Sequence, residues 1–236
     1  MKGRSVPVWM AAAALAAFAG WGLGAPDSAV PEDGRLVKNG DFERADPEDA
    51  AKPRGWFKPD GLGVQWVADE GPEADRHGRV IRLDTAVSET AMVERWTQVG
   101  LNAFWDIPNP KENPVAATYG LSYYSDAFPV VSGQAYRVTF DFKTTASGGG
   151  AKLWVRGYGL FRGEKRRRYE TLVTCREGGQ HWRRFSHLFH PTRHRPEVTD
   201  MKVMLYAYWP PGLYWFDNVT IEPVADATAL PSEDSP

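Results

Sequence analysis

The 236 residues carry 28 Lys and Arg against 30 Asp and Glu, a formal charge of −2. Such a balance argues against a nucleic-acid binder as a whole, and the single cysteine, Cys175, excludes an internal disulfide even in an oxidising compartment. Hydrophobic residues make up 42% of the chain and include 10 Trp, enough to fill the core of one large domain.

In chain order, Lys2 and Arg4 precede a small, apolar run over residues 6–23, and Gly22, Gly24 and Ala25 offer small residues for cleavage. This is the pattern of a secretory signal peptide over residues 1–25, and it implies a secreted, periplasmic or extracellular protein. An uncleaved membrane anchor is the alternative, for which the run is borderline in length. Residues 26–35 read as a polar linker, residues 36–224 as one domain, and the acidic, Pro- and Ser-containing residues 225–236 as a disordered tail.

Within the domain, helical periodicity is scarce and strand signals recur. Residues 36–43 are expected to be a first strand, followed by one over 79–83. Residues 136–143 alternate cleanly, with Tyr136, Val138, Phe140 and Phe142 on one face. Over 152–158, Leu153 and Val155 share one face, and Trp154, Arg156 and Tyr158 the other. Further strands are expected over 169–175, 181–189 and 201–208, and a closing one over 212–223 after the turn at Pro210, Pro211 and Gly212. Many short strands and no strand–helix–strand alternation imply an all-β antiparallel sandwich.

Particular motifs sharpen that reading. Asn39, Gly40, Phe42 and Glu43 are followed by Gly55 and Trp56, and the chain closes on Phe216, Asp217, Asn218 and Val219. In this order they resemble the opening and closing motifs of galactose-binding-domain-like, jelly-roll carbohydrate-binding modules of the family 4/9 and 22 type. Residues 130–140 and 180–185 resemble two of that family's internal strands. The resemblance implies a jelly roll, a poly- or oligosaccharide partner bound without catalysis, and a structural calcium held by Glu43 and Asp217. Calcium takes six to eight oxygens, and two carboxylates side by side without a cation repel. The alternative for Glu43 is a simple pairing with a nearby arginine.

The residues themselves point to the same partner. If Leu153 and Val155 face the core, Trp154, Arg156 and Tyr158 face out, and by the same alternation so do Met204, Tyr206, Tyr208 and Asp141. Aromatic planes stack on the C–H face of a pyranose, while carboxylates and guanidinium groups bind hydroxyls. Residues 89–125 are read as a long loop that either walls the binding groove, with Trp105 as a contact, or caps the sheet as a second core layer. His187, His190 and His194 sit too irregularly around Pro191 for a metal set, and the basic run from Arg162 to Arg168 reads as a solvated hairpin tip or a contact for an acidic glycan. Cys175 reads as a buried, inert thiol. A monomeric binding protein is expected, with an envelope protein-interaction module or a small glycan hydrolase or lyase as rival readings; paired carboxylates for the last are invisible in sequence.

Overall fold

Period-two alternation of apolar side chains builds most of the chain into antiparallel strands. The computed structural model describes residues 35–102, 106–148, 150–176 and 179–225. The segments read as signal peptide, linker and tail therefore lie outside the described residues, apart from Arg35 and Ala225, and so does Trp105.

The elements are β1 (Val64–Ala68), α1 (Ala74–His77), β2 (Arg79–Asp84), α2 (Glu89–Gln98), a 3-10 turn (Val115–Ala117), β3 (Leu121–Tyr124) and β4 (Phe128–Pro129). They continue with β5 (Ala135–Thr144), β6 (Ala151–Phe161), β7 (Glu164–Thr174), β8 (Arg183–Phe189), β9 (Val198–Ala207) and β10 (Leu213–Val224). Sheet one runs β1-β2-β10-β5-β8; sheet two runs β3-β9-β6-β7, with β4 also paired to β9. Every pairing is antiparallel. Two such sheets face to face make the jelly-roll β-sandwich that the alternation implies.

The core is where the two inner faces meet. Sheet one contributes Val138, Phe140, Phe142, Tyr214, Phe216 and Ile221, and sheet two contributes Leu153, Val155, Met201, Val203 and Leu205, all buried. Phe142 and Phe216 lie with ring centroids 5.1 Å apart at a tilt of 55°, a geometry aromatic pairs favour. Cys175 is fully buried at the end of β7 and burial drives its thiol pKa far up, as expected of an inert thiol.

Three expectations need correction. Residues 36–43 form turns rather than a strand. Asn39 and Phe42 adopt left-handed backbone conformations, with φ of 50° and 56°, and the Asn39 side chain bonds the backbone of Arg44 and Arg54. The segment still runs beside β10, through Leu36 N–H to Ile221 O (3.3 Å) and Val219 N–H to Gly40 O (2.8 Å), so the two ends of the domain are adjacent. Gly40 is required there because a Cβ would stand 1.8 Å from the Val219 carbonyl oxygen. Trp56 is fully buried against Phe42 and Tyr123 and donates its indole N–H to Lys38 O and Asn39 O. The opening motif and the Gly55-Trp56 pair are thus one packed unit.

Second, residues 89–125 are not one loop, since α2 occupies Glu89–Gln98. Ser88 caps it by accepting from Ala91 N–H (3.2 Å), and Met92 and Trp96, four apart, bury one face. Third, the run from Arg162 to Arg168 is mostly strand: the hairpin turn is confined to Arg162 and Gly163, and β7 begins at Glu164.

Candidate functional site on the outer face of sheet two

Register fixes what this face displays. β6 presents Lys152, Trp154, Arg156 and Tyr158, which pair with Tyr206, Met204, Lys202 and Asp200 on β9. On the other flank β7 adds Leu172, Glu170 and Arg167, and β3 adds Ser122 and Tyr124 opposite Tyr206 and Met204. Alternation along β6 is strict, its inward side chains buried and its outward ones half-buried from Lys152 to Tyr158. The structure therefore brings Trp154, Arg156, Tyr158, Tyr206 and, just beyond the strand, Tyr208 to one face.

Tyr206 and Tyr208 stack at 5.5 Å and 19°, and the Tyr206 hydroxyl donates to Tyr119 O (3.2 Å). Arg156 lies 5.3 Å from the Trp154 ring centroid, and its Nε donates to Glu170 (2.8 Å). Burial raises the phenol pKa of both Tyr158 and Tyr206, so both hydroxyls are neutral donors at ordinary pH. The Trp154 indole N–H is buried and has no hydrogen-bond partner among the described residues. An unmade bond of that kind costs about 1–3 kcal/mol.

Beside β3 the face opens into a cavity of about 630 Å³ lined by Phe57, Asp60, Trp96, Asp106, Tyr119 and Tyr124 among others. Leu101, Asp106, Ile107 and residues 119–124 line one wall of it. Asp60 is held at its base, accepting from Leu62 and Val64 N–H (2.7 and 3.0 Å) and from Trp96 Nε1 (3.2 Å), and burial raises its carboxyl pKa.

Asp141 is not part of this platform. It does point outward, but from β5 in sheet one, on the opposite side of the sandwich. There it stands directly across from Asp217 on β10, a like-charge pairing that is destabilising unless neutralised. Arg184 clamps Asp141 with two 2.9 Å bonds, and Asn218 Nδ2 bridges Asp141 and Asp217 at 2.9 Å each. A β-bulge makes this possible, with Asn218 at φ 51°.

Asp217 Oδ2 also meets His77 Nδ1 at 2.7 Å, and His77 stacks on Trp182 at 4.1 Å. Burial pushes the Asp217 carboxyl up to about 9, and the charges of Asp141, Glu43 and Asp41 push the same way. Its Oδ1 is buried without a partner among the described residues. Glu43 is exposed and accepts from Arg79 N–H (2.8 Å); no arginine side chain pairs with it among the described residues.

Sequence reading missed Lys152, Lys202 and Tyr124. Both lysines share the outward parity of Trp154 and Tyr206, so the alternation held the signal. The His77–Asp217 and Arg184–Asp141 contacts join residues 140 and 43 positions apart, and nothing local announces them.

No family model and no curated protein sequence matches this chain. Among solved structures, an arabinose-bound α-L-arabinofuranosidase aligns over 82% of this chain with a TM-score of 0.51 and 13% identity. The chain spans 27% of that enzyme's length. The fold is a jelly roll. A family 16 carbohydrate-binding module aligns over 79% of this chain and 99% of its own (TM-score 0.45, 14% identity). The family 22 xylan-binding domain from Paenibacillus barcinonensis aligns over 79% and 92% (TM-score 0.41, 12% identity). At these identities the likeness concerns fold alone. Among the described residues no helix is long and apolar enough to cross a membrane, and no cluster of three or more His, Cys, Asp or Glu side chains has a metal-holding arrangement.

Proposed function

We propose that this protein binds a poly- or oligosaccharide, without catalysis, through the outer face of sheet two. The observation that carries the reading is the half-buried aromatic surface of Trp154, Tyr158, Tyr206 and Tyr208. Aromatic side chains held outside the core on rigid strands require a reason. A pyranose supplies one, laying its C–H face on the rings while its oxygens accept from Arg156. Trp154 and Tyr206 are the stacking floor, Tyr158 and Tyr208 extend it in either direction, and the cavity beside β3 takes whatever overhangs that edge. The same reading includes export of a monomer after removal of residues 1–25.

Calcium belongs to the scaffold in this reading. The unpartnered Asp217 Oδ1, set among the charges of Asp141, Glu43 and Asp41, suits a cation. Asp217 and Glu43 would hold it, with backbone carbonyls and water completing the shell. Its contribution would be neutralisation of crowded carboxylates.

Retention on insoluble polysaccharides tests the reading, with a glycan array to find the sugar. The Trp154→Ala, Tyr206→Ala double variant should fold and lose retention. Unfolding of that variant by several kcal/mol would make these aromatics core residues, and release of reducing sugar by the parent would make the protein an enzyme.

A further inference from the structure

The charge on the outer face of sheet two has a sign that the stacking floor alone does not require. Within a chain of net charge −2, the outward positions of β6, β7 and β9 carry the cations Lys152, Arg156, Lys165, Arg167 and Lys202 against the carboxylates Glu170 and Asp200. Both carboxylates are engaged. Glu170 Oε2 accepts from Arg156 and Arg167 at 2.8 and 2.9 Å, and Asp200 Oδ1 accepts from Lys165 and Thr199 at 2.8 and 3.1 Å. The basic run itself is largely neutralised, since Arg166 pairs with Glu164 and Arg168 with Glu197.

Two amines are left over. Lys152 Nζ lies 5.6 Å from the Trp154 ring centroid and 5.3 Å from that of Tyr208, and Lys202 Nζ lies 5.0 Å from that of Phe57. Neither has a carboxylate within ion-pair distance among the described residues. Ring faces hold both ammonium groups in place and leave their three N–H donors each open. Between them along the strands lies Trp154, and Arg156 stands opposite Lys202. What remains unpaired on this face is the two ammonium groups.

We propose that the glycan bound here is anionic, a polymer bearing carboxylates or sulfates along its length, with Lys152 and Lys202 as the residues that select it. The proposal rests on the reading of this face as a glycan site and names the class of glycan. Lys202 pairs across the sheet with Arg156, four residues along β6 from Lys152, so the two amines are separated by roughly 13 Å along the strands. One anionic group cannot reach both; a polymer with repeated anions can, its uncharged ring faces lying on Trp154 and Tyr206 between them. Burial lowers the pKa of Lys202 despite the opposing charges of Asp126 and Asp200, neither of which forms an ion pair with it, and a carboxylate or sulfate in direct contact would offset that loss.

The experiment is affinity electrophoresis of the full-length protein in gels containing polygalacturonate, a sulfated galactan or a neutral galactan, at low and high salt. A single-stranded oligonucleotide serves as the non-glycan polyanion. Retardation by at least one acidic polymer, about tenfold stronger than by the neutral one and largely lost near 0.5 M salt, is expected; which of the two retards identifies the anion. Lys152→Gln and Lys202→Gln should each weaken that retardation severalfold and leave the melting temperature unchanged. Equal, salt-insensitive retardation by the neutral polymer overturns the anionic assignment and leaves glycan binding standing. No retardation by any of the three glycans, confirmed on a glycan array, overturns both. Acidic-polymer retardation unaffected by the two lysine substitutions overturns the assignment to these residues, and retardation matched by the oligonucleotide overturns the selection of an anionic glycan.

Discussion

Single residues on the two outer faces behave differently because their neighbours do. On sheet two, Trp154 and Tyr206 are half-buried at the surface, so truncating them removes area that is already partly wet. Each substitution to Ala should cost less than about 2 kcal/mol, against about 3–5 kcal/mol for Phe216→Ala in the core. Denaturant titration of the three variants checks the ranking, and a Trp154→Ala variant as unstable as Phe216→Ala would contradict it. On sheet one, Asp141 is 5% exposed while the Arg184 side chain that clamps it is 67% exposed. Arg184→Ala leaves a shielded carboxylate facing Asp217 with only Asn218 to bridge them. Because Arg184 itself is well solvated, a loss of about 1–2 kcal/mol is expected rather than the larger cost of breaking a fully buried pair. Adding Asp141→Asn to Arg184→Ala should restore much of that loss, since no shielded charge is then left without its guanidinium partner. No recovery in the double variant would show that the clamp acts by packing alone.

At the scale of elements, the sequence is most readable where one physical rule dominates. β5, β6, β9 and β10 each have one face in the core, so burial imposes a period of two that composition cannot hide. The same rule identified Trp154, Arg156, Tyr158 and Tyr206 as outward. It could not say that Asp141 faces out of the other sheet, because alternation assigns a parity and sheet membership depends on long-range pairing. Residues 36–43 look like a strand by composition, yet Asn39 and Phe42 at positive φ turn the chain to cradle Trp56. α2 was hidden among aromatics and prolines, although Ser88 as cap and the Met92/Trp96 spacing marked it. That helix closes the side of the sandwich next to the cavity, with Trp96 Nε1 bonded to Asp60. Ser88→Ala should cost about 1 kcal/mol by removing the cap, and Met92→Ala about 2–5 kcal/mol by opening the core beneath the helix. Thermal unfolding reads both, and a Met92→Ala variant no weaker than Ser88→Ala would mean that α2 docks mainly through its cap and Trp96.

For the whole molecule, the sandwich is closed where its beginning meets its end. Leu36 bonds Ile221, Gly40 bonds Val219, and the charges of Asp141, Glu43 and Asp41 act on Asp217 beside that junction. The same junction carries the unpartnered Asp217 Oδ1. A cation seated there binds the native state alone, because unfolding separates residue 43 from residue 217. Such a ligand stabilises by mass action, about 2.7 kcal/mol at a free concentration one hundred times its dissociation constant. In a domain of this size that corresponds to several degrees in Tm, at about 2–4 °C per kcal/mol. Chelation should therefore lower the melting temperature of the parent, and added calcium should restore it. Asp217→Asn keeps the shape of the side chain and removes the charge, so the variant should melt at one temperature with or without calcium, near that of the chelated parent. Its outer sheet-two face should still bind glycan, since Trp154 and Tyr206 lie on the other side of the core. A parent whose melting curve ignores both chelator and calcium would remove the metal from this junction, leaving His77 and Asn218 as the groups that settle Asp217.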